Sequence, residues 1–396
     1  MRKNLRVCHK FLMGQDGYDL SNQGEIRATN SYIKNYVVFF IERRVLNRYI
    51  KRNNLVRREG YLFHNESGAY LIPIFYRKNY GVPVNDLYMA DNVKLFIKRF
   101  RKIFDKVDPD IVHTHGTLVP QFVFAALYAR IKGKRCIATH HMGLINRDVK
   151  NQKRSVIFMK YFLHNILPFI SHRVISKSYH GVNSFIFKKN VEKISGIMNV
   201  EPEEISKKSL EVFLSDNNIF SKKIDFSGSV FLYPARICKR KNQEILLEAF
   251  ESLKGRGIKL ILVGYIGERG YYRKILNMIV NKKLEDFVYV VPEVPNKRSL
   301  ALMKFCDFLI YPSVNESTPR TCFEAFSMGI PILASFDGGH KEYLIEGENG
   351  LFFDPYDKDS VLSAVLEAVP IREKLVPKKV GDSYINKLLR LYDVER

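Results

Sequence analysis

The chain has little cysteine, no long apolar run and, over its first half, little acid. Its five cysteines (Cys8, Cys136, Cys238, Cys306, Cys322) are odd in number and form no Cys-x-x-Cys pair. That argues against a disulfide framework or a thiolate zinc site and fits reduced, buried thiols. The best candidate for a membrane span, Val156 to Ile170, is short and is interrupted by Lys160, His164 and Pro168. It reads as a buried helix instead. No uninterrupted apolar core follows the charged N-terminus, so no signal peptide is expected. There is no internal repeat and no low-complexity tract.

Acid is scarce only on one side of the molecule. Residues 1–200 hold 35 Lys+Arg against 13 Asp+Glu, whereas the remaining 196 hold 29 against 28. The basic half should therefore seek an anionic partner: nucleic acid, an anionic membrane face or a phosphate-linked acceptor. A chain of 396 residues with 46% hydrophobic and 27% charged residues is long and apolar enough for two ordinary folded domains.

Strand-like runs alternate with helical ones throughout, the pattern of an α/β chain with parallel sheets. In the first half strands are expected near Leu5–His9, Ala69–Phe75, Ile111–His115, Cys136–Thr139 and Val174–Ser176. In the second they fall near Val230–Pro234, Lys259–Val263, Val288–Val290, Phe308–Tyr311 and Pro331–Ala334. Two doubly wound sheets in tandem follow, with ligands expected in a cleft at the carboxyl ends of the strands. Asn217-Asn218 and Gly228 break the pattern, which puts the join around Ser215–Ser229. The expected domains are 1–215, 216–379 and a terminal helix in 380–396, whose Tyr384, Leu388, Leu391 and Tyr392 share a face.

The most informative stretch is Asn315 to Pro331. Two glutamates stand eight positions apart, Glu316 after the apolar strand Phe308–Ser313 and Glu324 within a helical pattern. One carboxylate then lies on the loop leaving a strand and the other on the following helix, with helix-start N–H groups between them. Hydroxyl groups suit the acids and a diphosphate suits the amides.

This segment resembles the Glu-x7-Glu motif of the large GT4 family of retaining glycosyltransferases, which have the GT-B fold. The resemblance runs from about Phe231 to Leu351. It takes in Phe231–Asn242, Leu260–Gly267, Val288–Pro295, Asp337–Glu342 and Glu348–Leu351 in the family's order. It implies two Rossmann-like domains with the nucleotide sugar held by the second, and a terminal helix crossing back to the first. The family's phosphate-binding Arg and Lys match Arg236 and Lys241. From charge alone these would be two more solvated cations beside Lys239 and Arg240. By the same resemblance Glu324 takes the ribose hydroxyls and Glu316 a hydroxyl of the transferred sugar, and Arg320 and Thr321 line the phosphate with their amides. A nucleophilic role has at times been proposed for the first glutamate in the family. One carboxylate near the anomeric carbon does not establish a covalent intermediate.

In the first half, Ile137–Gly143 resembles a family segment whose histidine sits beside the donor sugar. The match is His141, with His140 as the alternative because the glycine is displaced to Gly143. Gly14 and Gly17 resemble, weakly, the glycine-rich loop near the donor phosphates; a plain turn is the other reading. His113 and His115 put two rings on one face of a strand, a geometry that suits metal ligands, but no carboxylate or cysteine nearby in sequence completes a set, so no metal is expected.

Two basic amphipathic segments stand out, 94–104 with Phe96, Phe100, Ile103 and Phe104 on one stripe, and 34–58 with Val38, Ile41, Val45 and Tyr49 among arginines. Both can pack on a sheet, while their cations suit an anionic membrane. The region 22–67 departs from the usual first unit, in which a helix leads directly into a second strand. The expectation is a metal-independent hexosyltransferase using a UDP- or GDP-sugar and a glycan or lipid-linked acceptor. It would be cytoplasmic, peripheral on the inner membrane face, with no nucleic-acid partner. The rivals are an inactive scaffold of this fold that binds membrane or nucleic acid, and a sugar-nucleotide epimerase or phosphorylase.

Overall fold

The computed structural model describes residues 1–8, 11, 17–76, 90–116, 119–140, 154–194, 202–314, 316, 320–337, 339–377 and 382–393, without the side chains of 17–21, 154–156, 180 and 382–383. The chain forms two compact units, Met1–Asn199 with Asp382–Arg396, and Val200–Gly381. The join therefore precedes the expected Ser215–Ser229. The helix Lys207–Asp216, capped by Ser206 Oγ accepting from Ser209 N, buries Leu210 and Leu214 in the second core, which assigns it to that unit.

The first unit is built on a nine-stranded sheet. In chain order the strands are β1 (Arg2–Cys8), β2 (Ile33–Ile41), β3 (Val56–Arg58), β4 (Tyr61–His64), β5 (Ala69–Phe75), β6 (Ile111–His115), β7 (Arg135–His140), β8 (Arg173–Ser176) and β9 (Val191–Lys193). Their spatial order is β3-β4-β5-β2-β1-β6-β7-β8-β9, parallel except at the β3–β4–β5 edge. The helix Gly17–Thr29 leads from β1 straight into β2, so the usual first unit is present after all. What the chain adds is 42–64, a short helix Leu46–Arg52 and a hairpin that extends the sheet.

Segment 34–58 is accordingly not one amphipathic helix. Tyr36 to Ile41 are all buried, because β2 lies between β1 and β5 and is covered on both faces. The stripe Phe96, Phe100 and Phe104 on the helix Ala90–Val107 is likewise buried in the core. The helix Arg154–Ile170, expected to be buried, leaves a row of aromatic rings exposed. The terminal helix Asp382–Leu391 belongs to the first unit, where Tyr384, Leu388, Leu391 and Tyr392 pack on Ile33, Ile111, Ile137 and Ile175. No helix among the described residues is long and apolar enough to cross a membrane.

The second unit has six parallel strands: β10 (Ser229–Pro234), β11 (Ile258–Gly264), β12 (Val288–Pro292), β13 (Phe308–Tyr311), β14 (Ile332–Ser335) and β15 (Gly350–Phe353). Their order, β12-β11-β10-β13-β14-β15, is the doubly wound one, and it reverses between β10 and β13. Strands covered on both sides need apolar residues on both faces, and Val230 to Tyr233 and Phe308 to Tyr311 are buried throughout. Gly264 ends β11 at φ 146, and a Cβ there would stand 2.2 Å from the Ala235 carbonyl oxygen. Only glycine lets the loop leaving β10 pass that closely.

Candidate active site

The reversal point of the second sheet fixes which side chains meet, since the loops leaving β10 and β13 diverge there. After β10 the chain makes a short turn, Lys239–Lys241, closed by Asn242 in the left-handed region at φ 52. The Asn242 amide donates to Pro355 O at 2.7 Å, which holds the turn in place. The turn directs Lys241 inward, where it is 8% exposed.

Lys241 Nζ lies 2.7 Å from Glu316 Oε2, and Arg240 Nη1 meets the same oxygen at 2.7 Å. Lys241 also donates to the Tyr311 hydroxyl at 3.0 Å. The supporting loops are fastened to one another. Tyr233 donates its hydroxyl to Lys241 O and bonds Ser313 Oγ, each at 2.7 Å, and Ser335 Oγ donates to Ser313 O. Gly339 N donates to Glu316 O at 2.7 Å. Three strand ends thus hold one carboxylate and two cations.

Burial pushes the Glu316 carboxyl up, but Lys241 and Arg240 outweigh it and bring the group down to about 2. Two cations on one carboxylate leave a net positive charge, and an anion can be met there without further rearrangement. Burial also drives the Tyr311 and Tyr233 hydroxyls well above their ordinary range. His340, whose ring lies 5.1 Å from that of Tyr311, is pushed down to about 4 by burial and is neutral at pH 7.

Glu324 lies on the helix Arg320–Ser327 and is almost fully buried. Arg320, one turn back, brings Nε to 2.7 Å of Glu324 Oε1. Arg320 Nη1 is buried without a hydrogen-bond partner among the described residues. Thr321 lies beside the Tyr311 hydroxyl. Burial pushes the Cys322 thiol well up, and Glu316 and Glu324 add to the rise.

The structure therefore brings together Lys241 and Glu316, and puts Arg320, Thr321 and Glu324 on the adjoining helix. Arg236 is set apart: it is exposed, and its guanidinium lies 4.9 Å over the Tyr265 ring. The sequence reading missed Arg240, Tyr311, Ser313 and His340. Tyr311 and Ser313 could have been found from polar atoms closing an apolar strand at a reversal point. His141 and Gly14 lie outside the described residues, as do positions 317–319; Arg320 and Thr321, expected on the loop, open the helix Arg320–Ser327, and Gly17 opens the first helix.

A second polar cluster is buried in the first unit. Arg6 Nη1 meets Glu25 Oε2 at 2.9 Å and His115 Nε2 at 3.0 Å, and Arg6 Nη2 donates to the Tyr392 hydroxyl at 2.8 Å. Lys177 lies 3.1 Å from Glu25, and His113 bonds Tyr392 and Thr139. Here the sequence reading needs correction, since a carboxylate does join His113 and His115: one ligand atom from each, with Glu25, lies within 4.8 Å of the others. The helix Gly17–Thr29 supplies it. Protein cations already neutralise that carboxylate. Burial raises the Glu25 carboxyl, and Lys177, His115 and Arg6 together hold it well below its usual range. His140 ends β7 buried against the rings of His164 and Phe185.

The molecule has the GT-B fold of glycosyltransferases, with two Rossmann-like parallel-sheet halves. Residues 215–376 match the family model for glycosyl transferases group 1, which takes in the whole Arg240–Lys241–Glu316–Glu324 site. The chain is similar to an uncharacterized glycosyltransferase of Methanocaldococcus jannaschii, at 24% identity over 72% of this chain and 71% of that protein. Among solved structures it is similar to a glycosyltransferase of Rickettsia africae, with a TM-score of 0.71 at 16% identity over 99% and 98% of the two chains. It is also similar to Anabaena HepE in complex with UDP, with a TM-score of 0.67 at 17% identity over 94% and 91%. These findings support a glycosyltransferase.

Proposed function

We propose that the chain is a retaining glycosyltransferase of the GT4 type, a hexosyltransferase that uses a UDP- or GDP-sugar without a metal ion. The acceptor is a glycan or a lipid-linked acceptor, met at the cytoplasmic face of a membrane. The observation that carries this reading is the pair of cations on Glu316 Oε2 at the reversal point of the second sheet. A nucleoside diphosphate is the ligand that a doubly wound sheet with surplus positive charge at that point suits best.

In this reading Lys241 and Arg240 meet the diphosphate, with Arg236 at its exposed side. Negative charge grows on the diphosphate as the glycosidic bond breaks, and fixed cations stabilise it where it develops. Glu324, with Arg320 and Thr321, meets the ribose, and Glu316 a hydroxyl of the transferred sugar. The acceptor hydroxyl adds to the anomeric carbon on the face the diphosphate leaves, and its proton passes to the departing phosphate oxygen. The same reading assigns His141 to the transferred sugar and Gly14 and Gly17 to the phosphates. The EDTA-insensitive release of nucleotide from one sugar donor, with a new glycosidic bond in the product, tests the reading. Free epimerised donor or sugar phosphate as the product would replace it with an epimerase or phosphorylase.

A further inference from the structure

We propose that the first unit docks on an anionic phospholipid surface through an aromatic face made by the helix Arg154–Ile170 and the loop at Ile186–Phe187. This deepens the membrane part of the reading above and does not depend on its transfer chemistry.

One side of that helix is used in the core: Leu167 is fully buried and His164 stacks on Phe185 at 3.7 Å. The other side is not. Phe158, Phe162 and Phe169, at positions that share a helical stripe, are 72%, 55% and 56% exposed. The loop joins them. Ile186 N donates to Asn165 Oδ1 at 2.8 Å, the Phe169 and Phe187 rings lie 4.6 Å apart, and Ile186 and Phe187 are themselves more than half exposed. Single exposed apolar residues are ordinary, but a patch of large aromatics marks an interaction surface.

Charge identifies the occupant. From Arg154 to Val191 the sequence has no Asp or Glu and six Lys+Arg, of which Lys177 is taken up by Glu25 inside the first unit, and Lys188 and Lys189, both exposed, directly follow Phe187. A second copy of the chain would bring the same cations to the contact and be repelled. An anionic headgroup layer accepts the cations while the rings enter the acyl boundary. The two other basic segments cannot serve in this way, because their apolar residues are buried in the sheet and core.

The chain has no tryptophan, so one introduced residue reports alone. Phe162→Trp and Phe187→Trp should each shift to the blue on vesicles of phosphatidylcholine with phosphatidylglycerol and not on phosphatidylcholine alone. Tyr356→Trp, exposed in the second unit, should not shift on either. Co-sedimentation with the anionic vesicles should fall about tenfold or more in Phe158→Glu/Phe162→Glu and in Lys188→Gln/Lys189→Gln. The lysine pair, exposed and outside the core, carries the test should the glutamates disturb folding. Unshifted emission, equal binding to neutral vesicles, or a shift that follows protein concentration without vesicles would overturn the proposal, the last in favour of self-association. None of these readouts needs a nucleotide, so they stand or fall separately from transferase activity.

Discussion

Lys241 and Glu316 meet at 2.7 Å across the loops that leave β10 and β13, far apart in sequence and joined by the reversal of the sheet. The carboxylate is shared with Arg240, so the cluster retains one positive charge in a buried place. Removing Lys241 would take away the inward cation and half of the Glu316 support. Lys241→Ala should weaken binding of the preferred nucleoside diphosphate sugar roughly tenfold to a hundredfold, the range for losing a charge-assisted hydrogen bond. Isothermal titration with the donor measures it, and an unchanged Kd would remove Lys241 from the site.

Arg236 and Arg240 should behave differently. Arg240 is ion-paired at the cluster, while Arg236 is exposed over Tyr265. Arg240→Ala should lower kcat/KM at least as much as Lys241→Ala, and Arg236→Ala should act mainly through KM, by several-fold. Equal kcat losses in the two variants would place Arg236 at the developing charge as well.

The second unit should lose stability on mild acidification. His340 in the folded chain is held near 4 by burial, against about 6.5 when unfolded. Its neutral form is favoured in the fold, so that contribution is complete above pH 6.5 and is lost as pH falls toward 4. The full loss is on the order of 3 kcal/mol. Urea unfolding from pH 7.5 to 4.5 should show the fall, and His340→Asn should flatten it. An unaltered slope in the variant would assign the effect to other groups.

In the first unit, Glu25 is the anion that balances Arg6 and Lys177, and its side chain is fully buried. Glu25→Ala would remove the buried carboxylate that both cations share and should cost about 3–5 kcal/mol. Denaturant unfolding of the first unit reads the loss. A change below about 1 kcal/mol would mean that the cluster behaves as a surface pair.

The strands were the most legible part of this fold. Ala69–Phe75, Ile111–His115 and Phe308–Tyr311 have the bounds their apolar runs indicate. β2 was hidden because a strand covered on both faces shows no alternation, and Lys34, Arg43 and Arg44 around Tyr36–Ile41 imitate a basic amphipathic helix. The carboxylates Glu316 and Glu324 were legible from their spacing and motif. Lys241 matched the same motif and does meet Glu316. That Arg240, not Arg236, would be the second cation was not legible, since Arg236, Lys239 and Arg240 are alike in sequence and only the folded turn before Asn242 decides which faces inward. Glu25 was invisible as a partner of His113 and His115 because only the sheet order brings its helix beside β6.

The measurement that bears most directly on the central claim is nucleotide release from a panel of UDP-, GDP- and ADP-sugars in EDTA, run on the wild-type chain and on Glu324→Ala. The account predicts release from one UDP- or GDP-sugar, undiminished by EDTA, and its loss in the variant. No release from any donor, or equal release by both proteins, would contradict it.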